Sequence, residues 1–227
     1  MKRALQLLTL CAALATATAW ADHPLVSETA DALARGTCQV EFVRTHEKAR
    51  SAPSLGSSDM QFSCGAGSRS QLAIGINSTR VDGRRAEGYR VAGKTTLLAP
   101  EDGNTGFGVR YSLGWNAQQG RRTKLESTTV LAVATREINN GVIAHANLGF
   151  TRDRLLSRST GLWSLGVETT DAISLAADVF GEERSRPSVS LGAGWRAGKD
   201  VYVSVAYAVQ TADEKAKTLS LGLKVVF

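Results

Sequence analysis

A chain of 227 residues with 43% hydrophobic side chains, and with 22 glycines against 4 prolines, is too apolar for a disordered protein and lacks the proline of a collagen-like one. The balance is basic, 27 Lys and Arg against 21 Asp and Glu, yet no basic helix, zinc spacing or aromatic RNA-binding signature accompanies it, which excludes nucleic acid as a partner. No apolar run beyond the amino-terminal one is long enough for a transmembrane helix, so a membrane crossing must rest on strands, and the length suits one large all-β domain.

Lys2 and Arg3 precede an apolar run from Ala4 to about Ala17, followed by the small-x-small sequence Ala19-Trp20-Ala21. This predicts a secretory signal over residues 1–21. The run is short and interrupted by Gln6 and Thr9, which argues against a membrane anchor, and Leu10 stands before Cys11 where a lipoprotein needs a small residue. Residues 22–36 carry too little apolar surface for a domain and are expected as a periplasmic segment ahead of a barrel over 37–227.

From Thr37 onward, alternation with period two marks about twelve strand candidates: 37–44, 59–66, 70–81, 87–98, 106–116, 124–135, 141–151, 160–169, 173–180, 188–196, 201–210 and 217–227. The fifth is the clearest, with Phe107, Val109, Tyr111, Leu113 and Trp115 set against Gly108, Arg110, Ser112, Gly114 and Asn116. The sixth is undecided: Leu125, Ser127, Thr129, Leu131 and Val133 are taken as the apolar face, with the reverse facing left open. Charges avoid the apolar faces. Glu41, Arg90, Lys94, Arg110, Glu168, Asp178, Arg196 and Lys224 all fall on the opposite face, among Gly, Ser and Ala. A soluble sandwich would have to spend those small residues as core or as surface, and neither suits them. In a transmembrane antiparallel up-and-down β-barrel of about 12 strands they face the lumen, while the large apolar residues face lipid. Connections after odd-numbered strands include the longest, 45–58, and are expected outside the cell. The aromatic residues fall at the two strand ends, as interfacial girdles.

The lumen set holds the chemistry that is available. His145 and Asn147 share one face, near no fixed Ser, and are expected as a lumen polar network rather than as catalytic groups. Glu168 and Asp178, near Arg and Lys, are expected in a structural ion network rather than as an acid/base pair. No metal-ligand spacing and no phosphate-binding loop occurs, so the expectation is a non-enzyme without metal or cofactor. Cys38 and Cys64 come opposite one another on the first hairpin in an oxidising compartment, which predicts a disulfide. Arg90, Lys94 and Arg110 could line one wall and bias an open pore toward anions; pairing with carboxylates across the lumen is the alternative.

Two resemblances add to this reading. The last strand, with Leu219, Leu221, Leu223, Val225 and Phe227 on one face and Thr218, Ser220, Gly222 and Lys224 on the other, resembles the final strand of bacterial outer-membrane barrels. That implies outer-membrane lipid and the barrel-assembly machinery as partners. His23-Pro24-Leu25, Glu28-Thr29, Gly36 and Gln39-Val40-Glu41 resemble the opening of a family of outer-membrane proteins labelled transporter-like, or phenol-degradation meta-pathway. The stretch from Asp31 to Arg35 departs from that family's Gly-rich form. The resemblance implies an outer-membrane channel or binding barrel for a small solute, aromatic or anionic. The alternatives are a lipid-modifying outer-membrane enzyme and a structural or host-facing barrel without an open pore.

Overall fold

The computed structural model describes residues 25–49, 53–100, 104–117, 123–139, 141–154, 156–211 and 216–227; the signal-peptide reading lies outside them. The elements are β1 (Cys38–Lys48), β2 (Leu55–Gly65), β3 (Ser70–Val81), β4 (Arg84–Leu98), β5 (Gly106–Ala117), β6 (Lys124–Asn139), β7 (Val142–Asp153), β8 (Arg158–Thr169), β9 (Ile173–Glu182), β10 (Ser188–Arg196), β11 (Val201–Gln210) and β12 (Lys217–Val226). Each strand pairs antiparallel with its sequence neighbours, and β1 closes on β12 from Gln39↔Val226 to Lys48↔Lys217. Closure leaves no unpaired edge, which is the condition for strands to cross a bilayer.

The outward set is what lipid requires. Ile74, Leu148, Leu165 and Leu191 are 59%, 68%, 56% and 65% exposed, and comparable residues continue the belt around the wall. On a protein in water a patch of that extent would drive aggregation; around a closed barrel it is the lipid-facing surface. Among the described residues no helix is long and apolar enough to cross a membrane. Because every ladder hydrogen bond is satisfied internally, the unboiled protein is expected to migrate differently on gels from the boiled one. Recovery as a soluble periplasmic monomer with no such shift would contradict the barrel.

Several strands outrun their predicted ends. β2 begins at Leu55 rather than Asp59, and β4 at Arg84 rather than Glu87. The β3–β4 ladder runs to Val81↔Arg84, leaving only Asp82 and Gly83 as a turn with φ of 48° and 75°. Both are left-handed, the conformation of a tight hairpin turn that Asp-Gly adopts readily. The sixth strand resolves to the reverse facing over most of its length. Trp115 pairs with Leu125 but Gly114 pairs with Ser127, so Glu126 is an extra residue that flips the parity beyond it. Leu131 and Val133 therefore point inward and are buried.

Cys38 pairs with Cys64 in the β1–β2 register, and their Sγ atoms are bonded at 2.10 Å across a sequence separation of 26. Closing a loop of that length removes unfolded-chain entropy worth about 3 kcal/mol. Replacing both cysteines by Ser is expected to lower the unfolding free energy in urea by about that amount, with lumen behaviour unchanged. Thiol labelling of unreduced, denatured native protein should find neither cysteine.

The largest departure concerns residues 22–36, expected below the barrel in the periplasm. Their described part enters the lumen instead: Leu25, Ser27, Glu28 and Ala30 are 3%, 1%, 5% and 0% exposed. The reason is space and hydrogen bonding. The small inward residues leave a void that something must fill, and buried lumen hydroxyls, amides and carboxylates need partners that an extended backbone supplies. A Cβ on Gly108 would lie 3.0 Å from the Ala30 carbonyl oxygen, and one on Gly166 would lie 2.8 Å from Ser27 Oγ. Those glycines mark where the segment approaches the wall.

Candidate functional site

The segment is held by a staircase of inward side chains. Near the terminal end of the barrel the Leu33 N–H donates to Gln71 Oε1 on β3 at 2.8 Å, and the Ala32 N–H donates to Thr96 Oγ1 on β4 at 3.0 Å. Thr96 Oγ1 in turn donates to the Ala30 carbonyl at 2.8 Å, while the Ala30 N–H donates to Thr135 Oγ1 on β6 at 2.8 Å. Asn147 on β7, with its amide oriented by these partners, accepts from the Glu28 N–H at 2.6 Å and donates to the Glu28 carbonyl at 3.2 Å. Asp178 on β9 then accepts from the Val26 N–H at 3.0 Å, the Ser27 N–H at 3.2 Å and Ser27 Oγ at 2.6 Å. The methyl of Ala30 packs between Leu131, Val133 and Leu162, an apolar spot created by the parity flip in β6. Each successive anchor comes from a strand further round the wall, so the segment crosses the lumen as it climbs.

Charge is organised around the same segment. Glu28 Oε1 lies 3.1 Å from Arg110 Nε and its Oε2 lies 3.6 Å from Lys94 Nζ, with all three side chains buried. Arg90 Nη2 lies 3.7 Å from Asp59 Oδ2. The cations expected to line one wall are thus gathered together. Their ion pairs run to Glu28 and Asp59, neither of which belongs to the predicted lumen set. Glu41 is buried beside Lys94 and Arg110 around a small cavity. On the adjoining strands β6–β8 His145 links Thr135 Oγ1, 3.1 Å from Nδ1, to Glu168 Oε1, 3.2 Å from Nε2. Asp178 bonds the backbone and hydroxyl of the segment, while Glu168 pairs with His145. Arg196 and Lys224 each lie over the ring of Tyr202, at 5.2 and 5.1 Å.

The Thr135–His145–Glu168 chain has the order hydroxyl, imidazole, carboxylate, which is the order of a nucleophile, its base and the group that orients the base. Its hydroxyl, however, receives the Ala30 N–H and is 3% exposed, so it serves as a clamp on the segment.

Two cavities lie on either side of the segment. The larger, about 150 Å³, opens toward the loops and is lined by Leu25, Val26, Glu28, Phe180, Arg186 and Ser190 among others. The smaller, about 20 Å³, is lined by Glu28, Gln39, Glu41, Gln61, Lys94 and Arg110. Glu28 of the segment and Arg110 of β5 border both. Sequence reasoning missed Glu28, Asp59, Gln71, Thr96 and Thr135. Apart from Glu28, each stands on the inward parity of its strand, a signal present in the alternation but masked by their ordinary polarity.

A closed barrel with an apolar belt and a polar lumen crossed by its own amino-terminal segment defines an outer-membrane β-barrel protein. The family described as "Uncharacterised conserved protein UCP029691" matches residues 7–227, and the chain belongs to it. No curated protein matches the sequence. Among solved structures the chain is similar to the NanC porin, with a TM-score of 0.60 and 7% identity over 82% of this chain and 98% of that one. It is also similar to the COG4313 outer membrane channel from Pseudomonas putida F1, with a TM-score of 0.60 and 12% identity over 87% and 97%. The outer membrane phospholipase A from Escherichia coli is similar too, at 0.53 and 9% over 93% and 96%. At these identities the likeness is one of fold. It agrees with the barrel read from the sequence and does not by itself separate a channel from an enzyme.

Proposed function

We propose that the protein is an outer-membrane channel for a small solute, closed at rest by residues 25–33 of its own chain. The observation that carries this reading is Glu28, buried between Lys94 and Arg110 and bordering both lumen cavities, so that one segment both fills the bore and sets a carboxylate against two of its cations. Porins and a channel among the similar folds support it, including a KdgM porin in complex with disordered oligogalacturonate. On the loop side, Phe180 and Leu162 offer an apolar surface, while Ser188, Ser190, Ser220 and Gln210 offer hydrogen bonds and Arg186 a positive charge. Such a vestibule fits a small anionic or aromatic solute. In this reading the signal over 1–21 exports the chain, the loop end faces outward, and β12 with Phe227 is the element read by the barrel-assembly machinery. The test is single-channel recording in planar bilayers of the mature chain and of the chain lacking residues 22–33. Conductance that appears or rises on removal of the segment supports the reading; silence in both would leave a structural barrel without a pore.

A further inference from the structure

The outward face of the barrel is not uniform at its loop end. On β1 the outward positions beyond Phe42 are Arg44, His46 and Lys48, all exposed. The register places His46 opposite Gly56, which is opposite Arg80, which is opposite Arg85, and it places Lys48 opposite Lys217 of β12. Arg80, Arg85 and Lys217 are exposed and share the outward parity of their strands. Five cations and a histidine therefore share one face across β12 and β1–β4, next to the apolar belt of Phe42, Met60, Ile76 and Tyr89. Among the described outward positions of these strand ends the carboxylate is Glu87, 3.1 Å from Arg85. Over β8 to β11 the same end is less basic: the outward positions beside the loops are Ser159 and Gly161, Gly181, Val189 and Val209, with the acidic Glu183 beside Gly161, although β7 presents the exposed Arg152.

Like charges directly opposite on a ladder repel, and this face holds two such pairs, Arg80↔Arg85 and Lys48↔Lys217. Two hydroxyls hold the guanidinium groups in place: Arg85 Nε donates to Ser78 Oγ at 2.9 Å, and Arg44 Nη1 donates to Ser58 Oγ. Fixed, planar donors beside an apolar wall, at the depth where headgroups lie, suit phosphate, which takes paired N–H bonds from arginine. Spread over β1, β3 and β4, they suit several phosphates on one rigid headgroup better than the single phosphate of a phospholipid. We propose that this face binds a phosphorylated glycolipid of the outer leaflet, its acyl chains on the apolar belt and its phosphates among Arg44, Arg80 and Arg85. The inference rests on the loop end facing outward and does not need the channel to be open.

The experiment uses the mature chain in detergent and native mass spectrometry, with bisphosphorylated lipid A, its monophosphorylated form and phosphatidylglycerol as probes. One bisphosphorylated lipid A is expected on the native protein. Binding should weaken roughly 100-fold in the Arg44→Gln, Arg80→Gln, Arg85→Gln triple variant, since each lipid-facing cation contributes several-fold. Arg184→Gln, at the loop end but paired with Glu183, should bind as the native protein does. The monophosphorylated form on native protein gives the same comparison without any variant, and weaker binding is expected. Equal binding by the triple variant, or equal binding of phosphatidylglycerol, would overturn the proposal. Bilayer conductance of the triple variant is expected to be unchanged, which separates this face from the lumen.

Discussion

Removing residues 22–33 is expected to convert a closed barrel into a conducting one, and to reveal an anion preference. The segment occupies the bore through backbone bonds to Gln71, Thr96, Thr135, Asn147 and Asp178, and no strand of the wall depends on it for pairing. The barrel should therefore assemble without it and keep its heat-dependent gel mobility. Lys94 and Arg110 would lose their ion pairs with Glu28, while Arg90 would keep Asp59. A cationic wall enclosed by a low-dielectric barrel concentrates field in the bore and favours anion entry. Reversal potential under a salt gradient measures this. Changing Arg90, Lys94 and Arg110 to Gln in the shortened chain should abolish the preference. A cation-selective shortened barrel, or one whose selectivity ignores that triple change, would show that this wall does not set what passes.

Much of the barrel was legible in the sequence because its cause is local. A residue facing lipid must be apolar and its neighbour facing the lumen need not be, so period two appears strand by strand without knowledge of the partner. The β1–β2 disulfide is legible for the same reason, since a hairpin register can be counted. What escaped has non-local or single-residue causes. The strand β2 begins earlier than read because Gly56, Ser57 and Ser58 lie beyond the apolar belt and carry no alternation. The facing of β6 turned on Glu126, one inserted residue. The lumen segment escaped because its anchors bond backbone, which leaves no trace in side-chain pattern. Gly108 and Gly166 read as ordinary lumen glycines, although each is where another stretch of chain passes. The reading of the lumen charges stopped one step short in the same way: it found the cations on β4 and β5, and not the carboxylate that reaches them from the amino-terminal segment.

Glu28→Gln is expected to release the segment without unfolding the barrel. Glu28, Lys94 and Arg110 are 5%, 4% and 8% exposed, and the carboxylate lies between the two cations. Removing one partner of a buried ion pair leaves uncompensated charge and costs about 3–5 kcal/mol. Against that, the five remaining side-chain clamps make nine hydrogen bonds to the segment, worth about 1 kcal/mol each, so losing the ion pair removes a substantial share of the hold on the segment without abolishing it. The strand ladder is a far larger reserve and does not pass through Glu28. The molecule therefore has a local way to rehydrate Lys94 and Arg110, by letting residues 25–33 leave the bore while the wall stays closed. Single-channel records of Glu28→Gln should show intermittent openings, between the quiet native chain and the steadily open shortened one, with gel mobility before boiling unchanged. Adding Arg110→Gln removes one of the stranded cations and should restore longer closed periods. A Glu28→Gln protein as silent as the native one would mean that hydrogen bonds alone hold the segment, and loss of the folded band on gels would mean that the ion cluster supports the wall rather than the closure.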